Sequence, residues 1–386
     1  MKTFKNIWNK TQMFLLAFIV GSVALAGVSS LQNTLYAKAP EAVSDEDLLT
    51  YVSELDPIEN GGLEMTQDEE GVYTMTANEG ERVTVLQLTD THISGIEENH
   101  DKDIKAINAI YTLVERTRPD FIVVTGDAIF GMPYSDGDDD TLALQTLLAL
   151  MDQIGIPWTW TFGNHDHSFF DRYSTDEIAE MLSQSSTLCM YDKNEDISGY
   201  SNGVFKLCNA DGSISQLLIM IDSNGTEYGD EDTGEVTDYE PIYEDQVDWY
   251  QDQIEKYSCQ QGQLVSSMVF FHIPIQEYVD AWNSYEENNY STYYYFGDKR
   301  EESSCSSVHS SLFERALELG STKAMFCGHD HRNDYALNYE GIDLVYGKSI
   351  DYTAYPGIEY ETEQRGATVI SIGEDGNYTL STLRLQ

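Results

Sequence analysis

The chain has 386 residues, 41% of them hydrophobic, and carries 67 acidic against 21 basic side chains for a formal net charge of −46. That is enough material for one large domain or two small ones with a sizeable buried core. Such an acidic surface repels polyanions, which excludes a nucleic-acid platform and adsorption to anionic lipid.

Lys2, Lys5 and Lys10 precede an apolar stretch at residues 13–28 that ends among small residues, the pattern of a secretory signal. Its core of about 16 residues is shorter than the roughly 20 of a spanning helix. Ala24-Leu25-Ala26 and Ala37-Lys38-Ala39 both resemble processing sites, although Pro40 hinders cleavage at the second. Residues 1–39 are therefore expected to be a signal peptide or an uncleaved N-terminal membrane anchor, and the rest a secreted or extracytoplasmic protein. Residues 40–80 are acidic and mixed and read as a linker leading into one or two short antiparallel strands, marked by Val72-Tyr73-Thr74-Met75.

Short apolar or β-branched runs then follow at residues 83–89, 121–125, 157–161, 217–221, 265–271 and 323–327. Helical patterns separate many of them. Residues 103–116 place Ile104, Ile107, Ile110, Leu113 and Val114 on one stripe, and residues 140–154 and 311–319 repeat the pattern. Strand and helix in alternation predict an α/β layer fold. Beyond Asp330 the pattern turns to strands at 344–346, 367–372 and 378–383, the last two joined by Gly373-Glu374-Asp375-Gly376, a hairpin expected to close a second sheet. Two acidic, aromatic segments, 224–243 and 276–308, lack periodicity and are either walls of a ligand cleft or solvated insertions. The five cysteines (Cys189, Cys208, Cys259, Cys305, Cys327) are odd in number and irregularly spaced, so at least one thiol is unpaired.

The polar residues that cap the apolar runs carry the chemistry. Asp90 and His92 follow the first run, Asp127 follows Gly126 after the second, and Gly163-Asn164-His165-Asp166 follows the third. His272 directly follows the run 265–271, and Gly328-His329-Asp330-His331 follows the run 323–327. The carboxyl ends of strands are where α/β sheets bind ligands. Five of the eight histidines sit at such ends. Oxygen and imidazole donors without thiolate suit Mn, Fe, Zn or a mixed pair. Two aspartates, an asparagine and four histidines are the right number for two ions about 3.5–4 Å apart that share one carboxylate.

In this order the blocks D-x-H, G-D, G-N-H-D, H and G-H-x-H resemble the calcineurin-like metallophosphoesterase superfamily over residues 83–335, most of all its single-domain purple-acid-phosphatase-like subgroup. Thr125 to Gly131 and Gly328 to Asp334 carry the closer match. The resemblance implies a four-layer α-β-β-α sandwich of two mixed sheets flanked by helices, with residues 81–386 as the catalytic domain. It implies that Asp90, His92, Asp127 and His331 hold one metal and that Asp127, Asn164, His272 and His329 hold the other. Two divalent or mixed-valence ions (Mn, Fe or Zn) would supply the attraction for phosphate that the acidic surface withholds. His165 would contact the phosphoryl group of a small phosphorylated substrate and protonate the leaving oxygen, with Asp166 orienting it, while a metal-bridging hydroxide attacks phosphorus in line. Phe130 departs from the pattern, standing where purple acid phosphatases carry an iron-binding tyrosine, so neither purple colour nor obligatory ferric iron is expected. An exported phosphomonoesterase is the favoured function. Alternatives are a phosphodiesterase or nucleotide hydrolase on the same site, or a non-catalytic exported binding protein.

Outside the blocks, His100, His167 and His309 read as surface or structural histidines, and Arg332, Asn333 and Asp334 either face substrate or form a structural turn. Membrane contact is expected only through the possible N-terminal anchor. The acidic runs 136–140 and 227–232 lack calcium-loop spacing and read as solvated.

Overall fold

The computed structural model describes residues 45–59, 63–130, 140–167, 174–185, 188–191, 196–230, 235–288 and 292–385, and the expected signal or anchor segment lies outside them. Among the described residues no helix is long and apolar enough to cross a membrane.

The apolar runs become strands of two mixed sheets. One has the order β16-β15-β3-β4-β5. Its strands β3 (Val83–Leu88), β4 (Phe121–Thr125) and β5 (Trp158–Thr161) are parallel, and the hairpin β15 (Gly366–Ile372) and β16 (Tyr378–Arg384) adds antiparallel to β3. The other is nine-stranded around four parallel strands, β7 (Ile214–Met220), β10 (Ser267–Phe270), β12 (Thr322–Cys327) and β14 (Ile342–Tyr346).

Side-chain alternation decides the layering, because successive residues of a strand face opposite sides of its sheet. In the first sheet Leu86, Leu88, Ile122, Val124, Trp158 and Trp160 pack with helices α1 (Asp45–Ser53), α2 (His100–Thr117), α3 (Asp140–Ile154) and α4 (Thr175–Ser185). In the second, Leu217, Ile219, Val269, Phe271, Met325 and Leu344 pack with α5 (Glu244–Gln261), α6 (Glu277–Glu286) and α7 (Leu312–Leu319). The intervening residues, among them Val85, Phe121, Val123, Leu218, Met220, Phe270, Phe326 and Val345, form a third core that strands of both sheets supply, apart from Ala77 and Met190 in connecting segments. Both sheets are thus buried on both faces, and the molecule is the expected four-layer sandwich.

Three expectations change. The C-terminal hairpin joins the sheet of β3 rather than closing the second, since Thr368 to Ile372 pair with Val83 to Gln87. Residues 40–80 hold the expected short antiparallel strands, β1 (Glu64–Gln67) and β2 (Tyr73–Thr76), which extend the nine-stranded sheet, but the segment before them is more than a linker, since α1 buries Leu48 and Val52 in the outer core. The two aperiodic segments contain the hairpin β8 (Thr226–Asp230) and β9 (Glu235–Tyr239), the helix α6 and the edge strand β11 (Thr292–Phe296).

Candidate metal centre

The turns after β3, β4, β5, β10 and β12 meet at one rim, and hydrogen bonds between backbones lock them together. Asp90 N donates to Gly126 O and His92 N to Asp127 O, each at 3.1 Å, and Gly328 N donates to His272 O at 3.0 Å. The price is local strain. Asp90, His92, Asp127 and His329 have φ of 53°, 46°, 49° and 76°, so four of the eight described non-glycine residues with positive φ belong to the predicted ligand set. Left-handed backbone at such residues is unfavourable by about 1–3 kcal/mol each and persists where the surroundings over-determine it. The close approach also explains two motif glycines. A Cβ on Gly126 would lie 2.4 Å from His272 Nδ1, and one on Gly163 would lie 2.2 Å from Asp127 Oδ1.

Asp127 stands at the centre. Its Oδ2 lies 3.1 Å from His272 Nε2 and 3.6 Å from His92 Nε2, and its Oδ1 accepts from His165 N at 2.9 Å. Asp90 Oδ1 is 3.3 Å from His331 Nε2 and 3.9 Å from His92 Nε2, and the two imidazole Nε2 atoms are 3.1 Å apart. Two groups result, Asp90 with His92, Asp127 and His331, and Asp127 with His272 and His329, each with donor atoms within 4.8 Å of one another and all buried. Asp127 belongs to both.

The tautomers are fixed from behind. His272 Nδ1 donates to Thr125 O at 2.8 Å, and His331 Nδ1 pairs with Asp351 Oδ2 at 2.8 Å, so each ring turns Nε2 to the centre. Burial pushes the imidazoles of His92 and His329 down, to about 4 and about 3, which keeps them neutral. Burial acts the same way on His272, but Asp127 overrides it and raises that ring to about 9. Burial likewise opposes ionisation of Asp127, and His272, His165 and His92 nevertheless hold it well below the usual carboxylate range. The carboxylates thus demand positive charge at a buried place.

These residues fit a pair of metal ions. Among the described residues Asn164 Oδ1 is buried with no hydrogen-bond partner, and His272 Nε2 meets Asp127 Oδ2 at 3.1 Å outside hydrogen-bonding geometry, a state that is unfavourable unless something else satisfies them. Two carboxylates, an amide oxygen and four imidazoles, without thiolate, suit Mn, Fe or Zn.

His165 stands beside the cluster, its ring 5.2 Å from that of His92 and 4.8 Å from that of Phe130. Asp166 is placed otherwise than the resemblance implies. Its oxygens accept from Ala128 N, Ile129 N, Gly163 N and Trp160 Nε1 rather than from His165, so it ties the turns after β4 and β5 together. Burial, with the nearby charge of Asp127, pushes this carboxyl up to about 7.

Sequence reading missed three residues at the centre. Asp351 orients His331, the ring of Tyr355 stacks on His331 at 4.2 Å, and Tyr239 from β9 meets His329 edge-on at 4.6 Å. Asp351 comes after β14 and Gly347 but with Lys348, Ser349 and Ile350 between, a looser form of the signal that marks Asp127. The two tyrosines carried none. Both aperiodic segments reach this rim, one through Tyr239 and the other through Ser304 N, which donates to Asp330 Oδ1 at 3.1 Å. The remaining candidates are structural. His167 pairs with Asp222 and His309 with Glu277, His100 is buried against Gly95 O, Arg332 is held by Glu301 and Glu361, Asn333 Oδ1 accepts from Arg300 N and Glu301 N, and Asp334 binds Lys348. Cys208, Cys259, Cys305 and Cys327 are free thiols.

Residues 83–333 match the family model described as calcineurin-like phosphoesterase. Over 294 residues the chain is 29% identical to an Arabidopsis thaliana protein named probable inactive purple acid phosphatase 28, covering 70% of this chain and 71% of that one. It is 26% identical over 314 residues to phosphatase DCR2 of Saccharomyces cerevisiae, covering 75% of this chain and 50% of the yeast protein. A solved dimetal phosphatase from Danio rerio superposes with a TM-score of 0.49 at 14% identity, covering 79% of this chain and 99% of that one.

Proposed function

Because this chain belongs to the calcineurin-like phosphoesterase family of metal-dependent phosphoester hydrolases, we propose that it is an exported phosphatase that cleaves phosphate monoesters at a two-metal centre. The observation that carries the proposal is the convergence of Asp90, His92, His331, His272 and His329 on a shared Asp127. The name of the Arabidopsis relative calls that protein inactive; here every donor of the set is present, and six of them converge as buried groups.

Asp90, His92, Asp127 and His331 would hold the first ion, and Asp127, Asn164, His272 and His329 the second. Bound there, the metals would polarise the phosphoryl group and supply a nucleophilic water of lowered pKa. The chain does the rest. Thr125 and Asp351 fix two ligand rings by their Nδ1 atoms, and the turns locked by Asp166 keep the donors in place before any substrate arrives. His165, beside the cluster and only partly covered, is placed to contact the phosphoryl group and to give a proton to the leaving oxygen. Export rests on the lysine-then-apolar pattern of residues 1–39, and recovery of the protein from the cytosol alone would sink it.

The test is a panel of aryl and alkyl monophosphates, diesters and nucleotides on metal-reconstituted protein, with the His165→Asn variant alongside. Monoesters should be cleaved fastest. His165→Asn should lower kcat by about 10²-fold or more on alkyl phosphates, which need leaving-group protonation, and by less on aryl phosphates. Two bound metals without turnover of any ester would overturn the reading.

A further inference from the structure

We infer that Tyr239 and Tyr355 bind the phosphoryl group of the substrate, as a pair of hydroxyl donors on the His329 and His331 side of the metal centre, and thereby favour monoesters over diesters. The inference rests on the phosphoesterase reading. Each imidazole of the G-H-x-H turn carries one of these rings, Tyr239 edge-on to His329 at 4.6 Å and Tyr355 stacked on His331 at 4.2 Å. The histidines are buried and the tyrosines only partly so, which places the two phenols on the border between ligands and solvent.

Neither phenol oxygen has a hydrogen-bond partner among the described residues, whereas the polar groups around them are committed. Tyr346 donates to Asp330 at 2.7 Å, Arg332 is held by Glu301 and Glu361, and His167 by Asp222. Both rings are also held in place. Tyr355 lies between His331 and the Arg332 guanidinium, 5.1 Å above the ring, and its backbone N reaches the same Asp351 oxygen that orients His331, at 3.4 Å. Tyr239 ends its strand beside Asp238, whose carboxylate binds Ser307 of the neighbouring loop by backbone and hydroxyl. A free donor on a fixed ring is what recognition of an anion requires.

Substrate choice follows from counting oxygens. A terminal phosphoryl group has three non-bridging oxygens, and if bound metals took two of them the third would be left for other donors. In a diester that third oxygen carries a substituent. His165 and Phe130 pack against the His92 ring, and on this inference the two phenols would meet the phosphoryl group from the His329 and His331 rings.

The test uses metal-loaded Tyr239→Phe, Tyr355→Phe and the double variant, with inorganic phosphate as the probe. Phenylalanine keeps the ring on each imidazole and removes only the hydroxyl. Two metals per chain should be retained, and the Kd for phosphate should rise about tenfold for each hydroxyl lost. KM for an aryl monophosphate should rise with it, while kcat/KM for a diaryl phosphate stays within about twofold of the parent. A double variant that binds phosphate as tightly as the parent overturns the inference, and so do equal losses on monoester and diester. Tyrosine-dependent phosphate binding in a protein that turns nothing over would sink the phosphatase reading and the monoester preference with it, and would leave the two phenols as phosphate donors. Absence of phosphate binding in the parent would sink both.

Discussion

Two clusters of buried charge adjoin in the chain at His331 and Asp334, and they are neutralised differently. Asp334, fully buried, accepts from Lys348 Nζ, from Asp298 N at 2.7 Å and from Arg384 Nη2 at 3.4 Å, so the chain itself supplies the counter-charge. Asp90 and Asp127 are just as buried, yet among the described residues their only counter-charges are imidazoles, and Asn164 Oδ1 has no hydrogen-bond partner there. A carboxylate that the chain neutralises is architecture. One that it leaves to imidazoles, with an orphaned amide oxygen alongside, marks a place for cations from outside.

The largest effect should come from Asp127→Ala, which removes a donor from both groups at once. Activity should fall by on the order of 10³-fold or more, because several kcal/mol of Lewis-acid stabilisation goes with the metals. The folded content seen by circular dichroism should persist. Lys348→Met addresses the other cluster. It should lower the unfolding free energy by about 3–5 kcal/mol in a denaturant titration, by taking from Asp334 its buried cation, and should leave the metal content at two. Loss of metals without loss of stability in that variant would break the contrast.

Asp351→Asn lies between the regimes, since it acts through His331. Metal affinity in a chelator competition should weaken about 10–100-fold while saturating metal still restores two ions. The smallest effect concerns His167 and Asp222, a pair the chain neutralises by itself at 2.8 Å. Burial opposes protonation of His167, but Asp222 overrides it and raises the ring above its usual 6.5. The stability this contributes is complete below pH 6.5 and is lost as pH rises through the raised value. His167→Gln should flatten that part of the stability profile, and an unchanged slope would show that the pair contributes nothing.

Much of this was legible in the sequence, for a physical reason. Strand-end ligands are local signals, because the apolar run and the Asp, Asn or His that caps it are adjacent in the chain, and the same alternation encodes both faces of each buried sheet. The four-layer fold and the residues that meet at Asp127 could therefore be read directly. What escaped depends on distant partners. Helix α5 builds half its buried stripe from Tyr250 and Tyr257, which do not read as core, and α1 is a short helix in an acidic stretch. The sheet joined by the C-terminal hairpin is set by pairing with β3 almost 290 residues away. Asp351, Tyr239 and Tyr355 acquire their meaning only against His331 and His329. Asp166 was misassigned because adjacency to His165 suggested contact, whereas its oxygens are taken by four N–H groups of neighbouring turns.

The central claim is that the Asp127 cluster is built for two metal ions and the Asp334 cluster for none. Mass-spectrometric metal counting on protein reconstituted with Mn, Fe or Zn tests it, with Asp127→Ala and Lys348→Met beside the parent. The account predicts two ions per chain in the parent and in Lys348→Met, and loss of both in Asp127→Ala. Fewer than two ions in the parent, or two retained in Asp127→Ala, would contradict it.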